Sequence, residues 1–269
     1  MKDRAFSLLL HARSKVGKST LTTTAPLPMC VLDAEGGWRF LKTRGFKGPE
    51  LRHRYVMKDG KRVLGWDPMR EPPPRYDGTW DVCVVTVAGW PPIPKVLDLL
   101  TQQPHDFKTV CLDSITEMQR RCKANLGAAK MEYQQWGELL DRMDSVIRGY
   151  RDLTLIDANP IECVVLVAET RPDNAGILAP YMQGQIQYSL PYWVDVCGFM
   201  NVQMEDDPSA PNGAGKRAVR VLRVGAHPQV VAGERVQGLL AESVHDPNIS
   251  TMMDTIFGPA DTTKETVKK

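Results

Sequence analysis

The chain has 269 residues, with 34 Lys and Arg against 32 Asp and Glu and a hydrophobic content of 42%. A formal net charge of +2 excludes a histone-like polycation, so nucleic-acid contact would have to come from local patches. With 25% charged residues and no apolar run near the ~18 residues of a membrane span, neither a disordered chain nor a helical membrane protein is expected.

In chain order, Met1-Lys2-Asp3-Arg4 leads without a cleavable leader into a strand-like run at 5–10. Directly after it stands Ala12-Arg13-Ser14-Lys15-Val16-Gly17-Lys18-Ser19-Thr20, the phosphate-loop pattern with Ala in place of the first Gly. The chemistry needs this order. Gly17 lets the backbone curl so that its N–H groups meet a phosphate, and Lys18 offers charge to the β- and γ-oxygens. Ser19 offers a hydroxyl to Mg²⁺, and the helix expected over 18–24 adds its N-terminal dipole. These residues point to ATP with Mg²⁺ as cofactors.

The next apolar run, 28–32, ends in Asp33-Ala34-Glu35-Gly36-Gly37. Glu35 would lie at the C-terminal edge of the sheet, where α/β folds bind ligands, as a candidate base for the attacking water. The competing expectation is that Asp33 and Glu35 are surface turn residues. Residues 52–66 carry Asp59-Gly60 between short strand-like arms, a hairpin signal, and 68–74 reads as an extended, exposed, Pro-rich connector. Nine basic residues face only Glu50 and Asp59 across 39–62, the densest positive field in the chain. That field suits a DNA guide and edge protection equally.

Further strands are expected at 82–87, 109–112 and 163–168, and helices at 93–100, 115–126 and 133–153. In the last helix Trp136, Leu139, Leu140, Met143, Ile147, Tyr150 and Arg151 step by three or four, mostly an apolar stripe for packing on a sheet. The strand 109–112 ends in Asp113-Ser114, the Walker B arrangement in which Asp113 would hold Mg²⁺ through water, the competing expectation being a turn or a cap for the following helix; no Glu follows it, so the base must come from elsewhere, hence Glu35. The stretch 119–130 includes Arg120, Arg121, Lys123 and Lys130 with no acid. It suits the DNA backbone or a solvated helix face. Tyr133 and Trp136 follow, by spacing more suited to the core than to stacking bases.

A second loop, 170–182, is flexible by composition and has Arg171 as its cation. Runs at 195–203 and 218–224 flank a polar loop, 204–216, and read as an antiparallel extension; 259–269 is expected to be a frayed tail behind one domain, 1–258. The six cysteines are scattered without a CxxC pair, which points to reduced, buried thiols in a cytoplasmic protein. The fold class expected is α/β, a mostly parallel sheet with antiparallel C-terminal strands and a β-hairpin insertion.

A phosphate loop, then a strand ending Asp33-Ala34-Glu35, then a Walker B strand ending Asp113-Ser114, resembles the RecA-type core of P-loop NTPases. Leu32–Gly37, the run VCLDSITE at 110–117, Gln183-Gly184-Gln185 before Leu190-Pro191, and 233–239 are similar to a phage group. That group is the RecA-like single-strand annealing proteins of the fourth Sak family, also known as phage nucleotide-binding AAA proteins. The resemblance implies a DNA-stimulated ATPase with Glu35 as base. It would bind and anneal single-stranded DNA in phage recombination, as a homo-oligomeric ring or filament in the host cytoplasm, with a single-strand-binding protein as a further partner. It also implies nucleotide sensing at Glu169, where RecA-type proteins carry Gln, and at Gln185, in a region where they carry Lys. A carboxylate near the γ-phosphate needs a metal or Arg to offset it. The alternatives are an annealing module with ATP as a structural ligand, or a small-molecule kinase, for which an Arg-rich lid is missing.

Overall fold

Unbroken apolar runs form strands here because both of their faces are covered. In the computed structural model, residues 4–41, 50–58, 61–127, 131–207, 215–236 and 238–260 are described. The phosphate-loop strand β1 (Phe6–Ala12) is followed by α1 (Lys18–Thr22), β2 (Met29–Asp33) and a hairpin of β3 (Tyr55–Lys58) and β4 (Lys61–Leu64). Then come β5 (Val82–Thr86), α2 (Pro92–Gln102), β6 (Thr109–Asp113), α3 (Ile115–Asn125), α4 (Tyr133–Asp152) and β7 (Cys163–Pro172). The chain finishes with β8 (Leu178–Pro180), α5 (Ile186–Trp193), β9 (Val196–Asp206), β10 (Lys216–Arg223), β11 (Gly233–Glu234), β12 (Ser243–His245) and α6 (Ile249–Phe257).

The main sheet runs β5-β2-β6-β7-β1-β9-β10-β12, parallel from β5 through β9 and antiparallel beyond. It is the α/β P-loop architecture expected. Alternation along each strand sends side chains to two cores. Phe6, Leu8, Leu10 and Ala12 of β1 pack with Leu21 of α1 and Met252 of α6, whereas Leu9 joins the core under α2, α3, α4 and α5. In α4 the expected stripe holds. Leu139, Met143, Ile147 and Tyr150 are buried, Trp136 and Leu140 pack at the margin, and the Tyr150 hydroxyl donates to Ile93 O at 2.6 Å. Burying each such side chain is worth roughly 1.5–3 kcal/mol.

Register decides what meets at the C-terminal edge. Asp33 pairs with Asp113, and Ala12 with Glu169, so the ends of four strands present the loop and three carboxylates along one line.

Several expectations change. The 170–182 loop is partly a second hairpin, since β7 runs on to Pro172 and β8 pairs back on it through Thr170↔Pro180. The 204–216 loop is shorter than expected because β9 and β10 extend into it. The 68–74 connector is not extended throughout: 68–70 form a turn in which Arg70 N and Glu71 N donate to Asp67 O, and Pro68 and Pro73 are buried. Much of the basic field at 39–62, including Asp59-Gly60, lies outside the described residues, as do Lys130 and the tail from 261. All six cysteines are buried and free. Among the described residues, no helix is long and apolar enough to cross a membrane.

Candidate active site

The phosphate loop turns sharply between β1 and α1. Lys15 (φ 63°) and Gly17 (φ 107°) both take the left-handed region, the kind of backbone that gathers successive N–H groups into an anion-binding concavity. Ala12 is buried at the end of β1, Arg13, Ser14 and Lys15 are exposed, and Val16 to Thr20 are half-buried. The Lys18 ammonium folds over the loop, donating to Ala12 O at 3.4 Å and Arg13 O at 3.3 Å.

Walker A and Walker B meet directly. Ser19 Oγ donates to Asp113 Oδ2 at 2.7 Å, although 94 residues separate them. The same oxygen accepts the indole Nε1–H of Trp38 at 2.9 Å. Burial pushes the Asp113 carboxyl up to about 6, and the neighbouring charges of Glu35 and Asp33 push the same way, against the two hydrogen bonds. Asp33 is buried and structural: it accepts from the backbone N–H groups of Gly36 (2.8 Å), Gly37 (3.2 Å) and Trp38 (3.1 Å). Burial raises its pKa and those bonds oppose the rise. The resulting turn leaves Glu35 exposed and seats Trp38 at 0% exposure.

Glu35 reaches the Walker B strand through Ser114, whose hydroxyl donates to Glu35 Oε1 at 2.5 Å. Ser114 also caps α3 by accepting from Glu117 N at 3.3 Å. Glu35 Oε2 makes no hydrogen bond among the described residues. Lys18, Ser19, Glu35 and Asp113, named from separate motifs, therefore form one continuous cluster. Sequence reasoning missed Trp38 and the link through Ser114. The available signal was an indole, a hydrogen-bond donor, directly after Asp-Ala-Glu-Gly-Gly.

Among the described residues no three His, Cys, Asp or Glu side chains converge as a ready-made metal cage. A hydroxyl and one buried carboxylate sharing a hydrogen bond, beside an anion-binding loop, fit a Mg²⁺ that takes its other oxygens from phosphate and water.

The DNA and sensing candidates gather elsewhere, around α3 and the end of β7. Glu169 lies between two guanidiniums, Arg120 at 3.0 Å and Arg171 at 3.2 Å. Glu117, one turn upstream, takes Arg120 at 2.8 Å and Arg121 at 3.0 Å. Lys123 sits over the Trp136 ring at 5.1 Å, and Arg171 over that of Tyr181 at 3.8 Å. So the basic stretch is, as far as Asn125, the second half of a helix. The acid missing from 119–130 is supplied by Glu117 and Glu169. Tyr133 is 93% exposed, against the core role expected from its spacing. Gln185 is exposed at the start of α5.

Beside the loop, on the β9–β10 side, lies a cavity of about 490 Å³. Arg13, Val16, Phe199, Asn201, Val221 and Gln229 are among its lining residues. Against Phe199 of that lining, His11 is fully buried, Nε2 on Val231 O at 2.7 Å and Nδ1 on Thr170 Oγ1 at 2.9 Å. The carbonyl requires Nε2 to carry the proton, and burial drives the imidazole pKa down to about 4.

No curated protein matches the chain. Among solved structures it is similar to an ATPase from the type III secretion system of pathogenic bacteria, with 11% identity and a TM-score of 0.40. That likeness covers 74% of this chain and 52% of the other, so the chain spans about half the length of that protein. It is also similar to the flagellar accessory protein FlaH from Methanocaldococcus jannaschii, with 7% identity, a TM-score of 0.42, and coverage of 91% and 88%. The AAA domain family model matches residues 4–236, a span that holds every residue of the loop and carboxylate cluster. The chain belongs to the AAA domain family of P-loop ATPases.

Proposed function

We propose that this chain hydrolyses ATP with Glu35 as the water-activating base. That hydrolysis serves the binding and annealing of single-stranded DNA in phage recombination, by a homo-oligomer in the bacterial cytoplasm. The observation that carries the catalytic half is the 2.5 Å bond from Ser114 to Glu35, which ties the candidate base to the Walker B strand. A carboxylate fixed by one oxygen keeps the other free to orient a water and take its proton. Ser19 and Asp113 would hold Mg²⁺, which, when bound, offsets phosphate charge. Lys18 and the loop N–H groups hold the phosphates, and the cavity beside Arg13 and Val16 suits the base and sugar by size and mixed lining.

The DNA half rests on the sequence resemblance to RecA-like annealing proteins. Arg120, Arg121, Lys123 and Arg171 are its candidate contacts, with Lys130, and Glu169 and Gln185 its candidate sensors. Paired as they are with Glu117 and Glu169, the three arginines would have to exchange partners to meet DNA. The second reading is annealing in which ATP acts as a conformational ligand, its binding rather than its hydrolysis driving that exchange.

The test is steady-state ATP hydrolysis with and without single-stranded DNA, at two salt concentrations. Glu35→Gln should lower turnover by roughly 10²–10⁴-fold while nucleotide still binds, and Lys18→Ala should lose binding. Turnover in Glu35→Gln equal to that of the natural sequence removes Glu35 as base. DNA bound without stimulation selects the second reading. The absence of both hydrolysis and DNA binding sinks the recombination role.

A further inference from the structure

The phosphate reading uses the inner side of the loop, where N–H groups converge. The outer side is covered by a residue outside both Walker segments. Arg220 lies on β10, in register with Val202 of β9, and its Nε donates to Val16 O at 3.1 Å. A Cβ built on Gly17 would come within 2.5 Å of that nitrogen and 3.2 Å of the guanidinium carbon, so the head group packs directly on the Val16–Gly17 peptide.

Arg220 also differs from the other arginines of its strand. Arg217 and Arg223 each pair with a carboxylate. Arg220 is half-buried and has no carboxylate partner among the described residues. A cation left unneutralised against a loop that gathers N–H groups adds to the field that attracts an anion.

The Val16 carbonyl and the Gly17 N–H are the two ends of one peptide unit. A hydrogen bond given to the carbonyl by a full positive charge polarises that unit and makes its N–H a stronger donor. The same bond fixes the orientation of the peptide, and with it the curl that the positive φ of Gly17 begins.

We propose that Arg220 is a positioning residue of the phosphate site. It acts through the Val16–Gly17 peptide to hold the loop in its anion-binding form and to strengthen Gly17 N–H as a phosphate donor. This rests on the reading of the loop as a nucleotide site, and it makes the antiparallel arm part of that site within a single chain.

The test is the affinity of the full chain for fluorescent ATP and ADP analogues, measured beside thermal unfolding. Arg220→Ala should weaken both nucleotides by about tenfold with Tm changed by less than about 3 °C. Arg220→Lys, which keeps the charge, should recover most of the loss. Arg220→Gln, a neutral donor, should recover less. At saturating ATP, turnover of Arg220→Ala should stay within about threefold, placing the loss in binding. Unchanged affinity in Arg220→Ala overturns the proposal, and so does a loss that Lys repairs no better than Gln. If the natural sequence binds nucleotide no better than Lys18→Ala, the phosphate-site reading itself fails first, a result distinct from either.

Discussion

Two clusters of acids lie at the C-terminal edge of the sheet, and they are balanced in opposite ways. At the ends of β2 and β6, Asp33 and Asp113 are buried, and among the described residues their donors are neutral: backbone N–H groups, a hydroxyl and an indole. Around α3 and the end of β7, Glu117 and Glu169 are matched by Arg120, Arg121 and Arg171. The first cluster has no cationic partner among the described residues and, under the proposed function, would be completed by Mg²⁺. The second has already consumed its cations. Counting charges along the chain gives the two regions the wrong weights, because what a charge can do depends on who neutralises it.

The largest break in this comparison should come from Asp113. Asp113→Asn keeps an oxygen that can accept from Ser19 and Trp38 but removes the charge. Turnover should fall roughly a thousandfold, about 4 kcal/mol, and Mg²⁺ should no longer tighten nucleotide binding. Nucleotide affinity titrated with and without Mg²⁺ checks it. A variant that still shows full Mg²⁺ dependence would place the metal elsewhere.

The next effect is read in stability against pH. The folded-state pKa of His11 lies at about 4, below its ordinary 6.5, so the stabilisation is complete above 6.5 and is lost as pH falls from there to 4. The size is about 3 kcal/mol. Asp113 runs the other way: its raised pKa favours the protonated folded state, so stability is gained as pH falls below about 6. The two groups act in opposite directions over this range, so the informative quantity is the difference between variant and parent. His11→Gln, followed by urea unfolding from pH 7.5 to 4, should lose stability less steeply on acidification than the parent. Parallel curves would show that His11 does not titrate against folding.

These effects show what the sequence made legible. Strands with both faces covered are unbroken apolar runs, and the phosphate loop is a contiguous string, so the core and Walker A could be read directly. Asp33, Glu35 and Asp113 were readable as strand-end acids. Their division of labour was not: Asp33 folds the turn, Asp113 is buried under Trp38, and Glu35 alone stays exposed, and those facts depend on pairing β2 with β6. Trp38 and Arg220 escaped notice because neither belongs to a local pattern. One is placed by Asp33, the other by an antiparallel strand some 200 residues downstream of the loop. The second hairpin at β7–β8 was hidden by its Asp-Asn-Ala-Gly turn, which composition alone reads as a flexible loop.

The smallest expected effect sharpens the comparison most. If Arg120, Arg121 and Arg171 are held by their carboxylates, Arg120→Ala alone should change affinity for a labelled single-stranded oligonucleotide by less than about threefold at 0.15 M salt. Glu117→Gln combined with Glu169→Gln removes the acids and keeps the side-chain volumes. If the freed arginines face DNA, affinity should rise and the plot of log affinity against log salt should steepen by about 0.7 for each phosphate newly met, a change of about 1–2. Adding Arg120→Ala to that double variant should take back part of the steepening, because one of the liberated cations is gone. An unchanged slope in the double variant would mean that the α3–β7 corner is a structural ion-pair network, and that any DNA path on this chain runs over another surface.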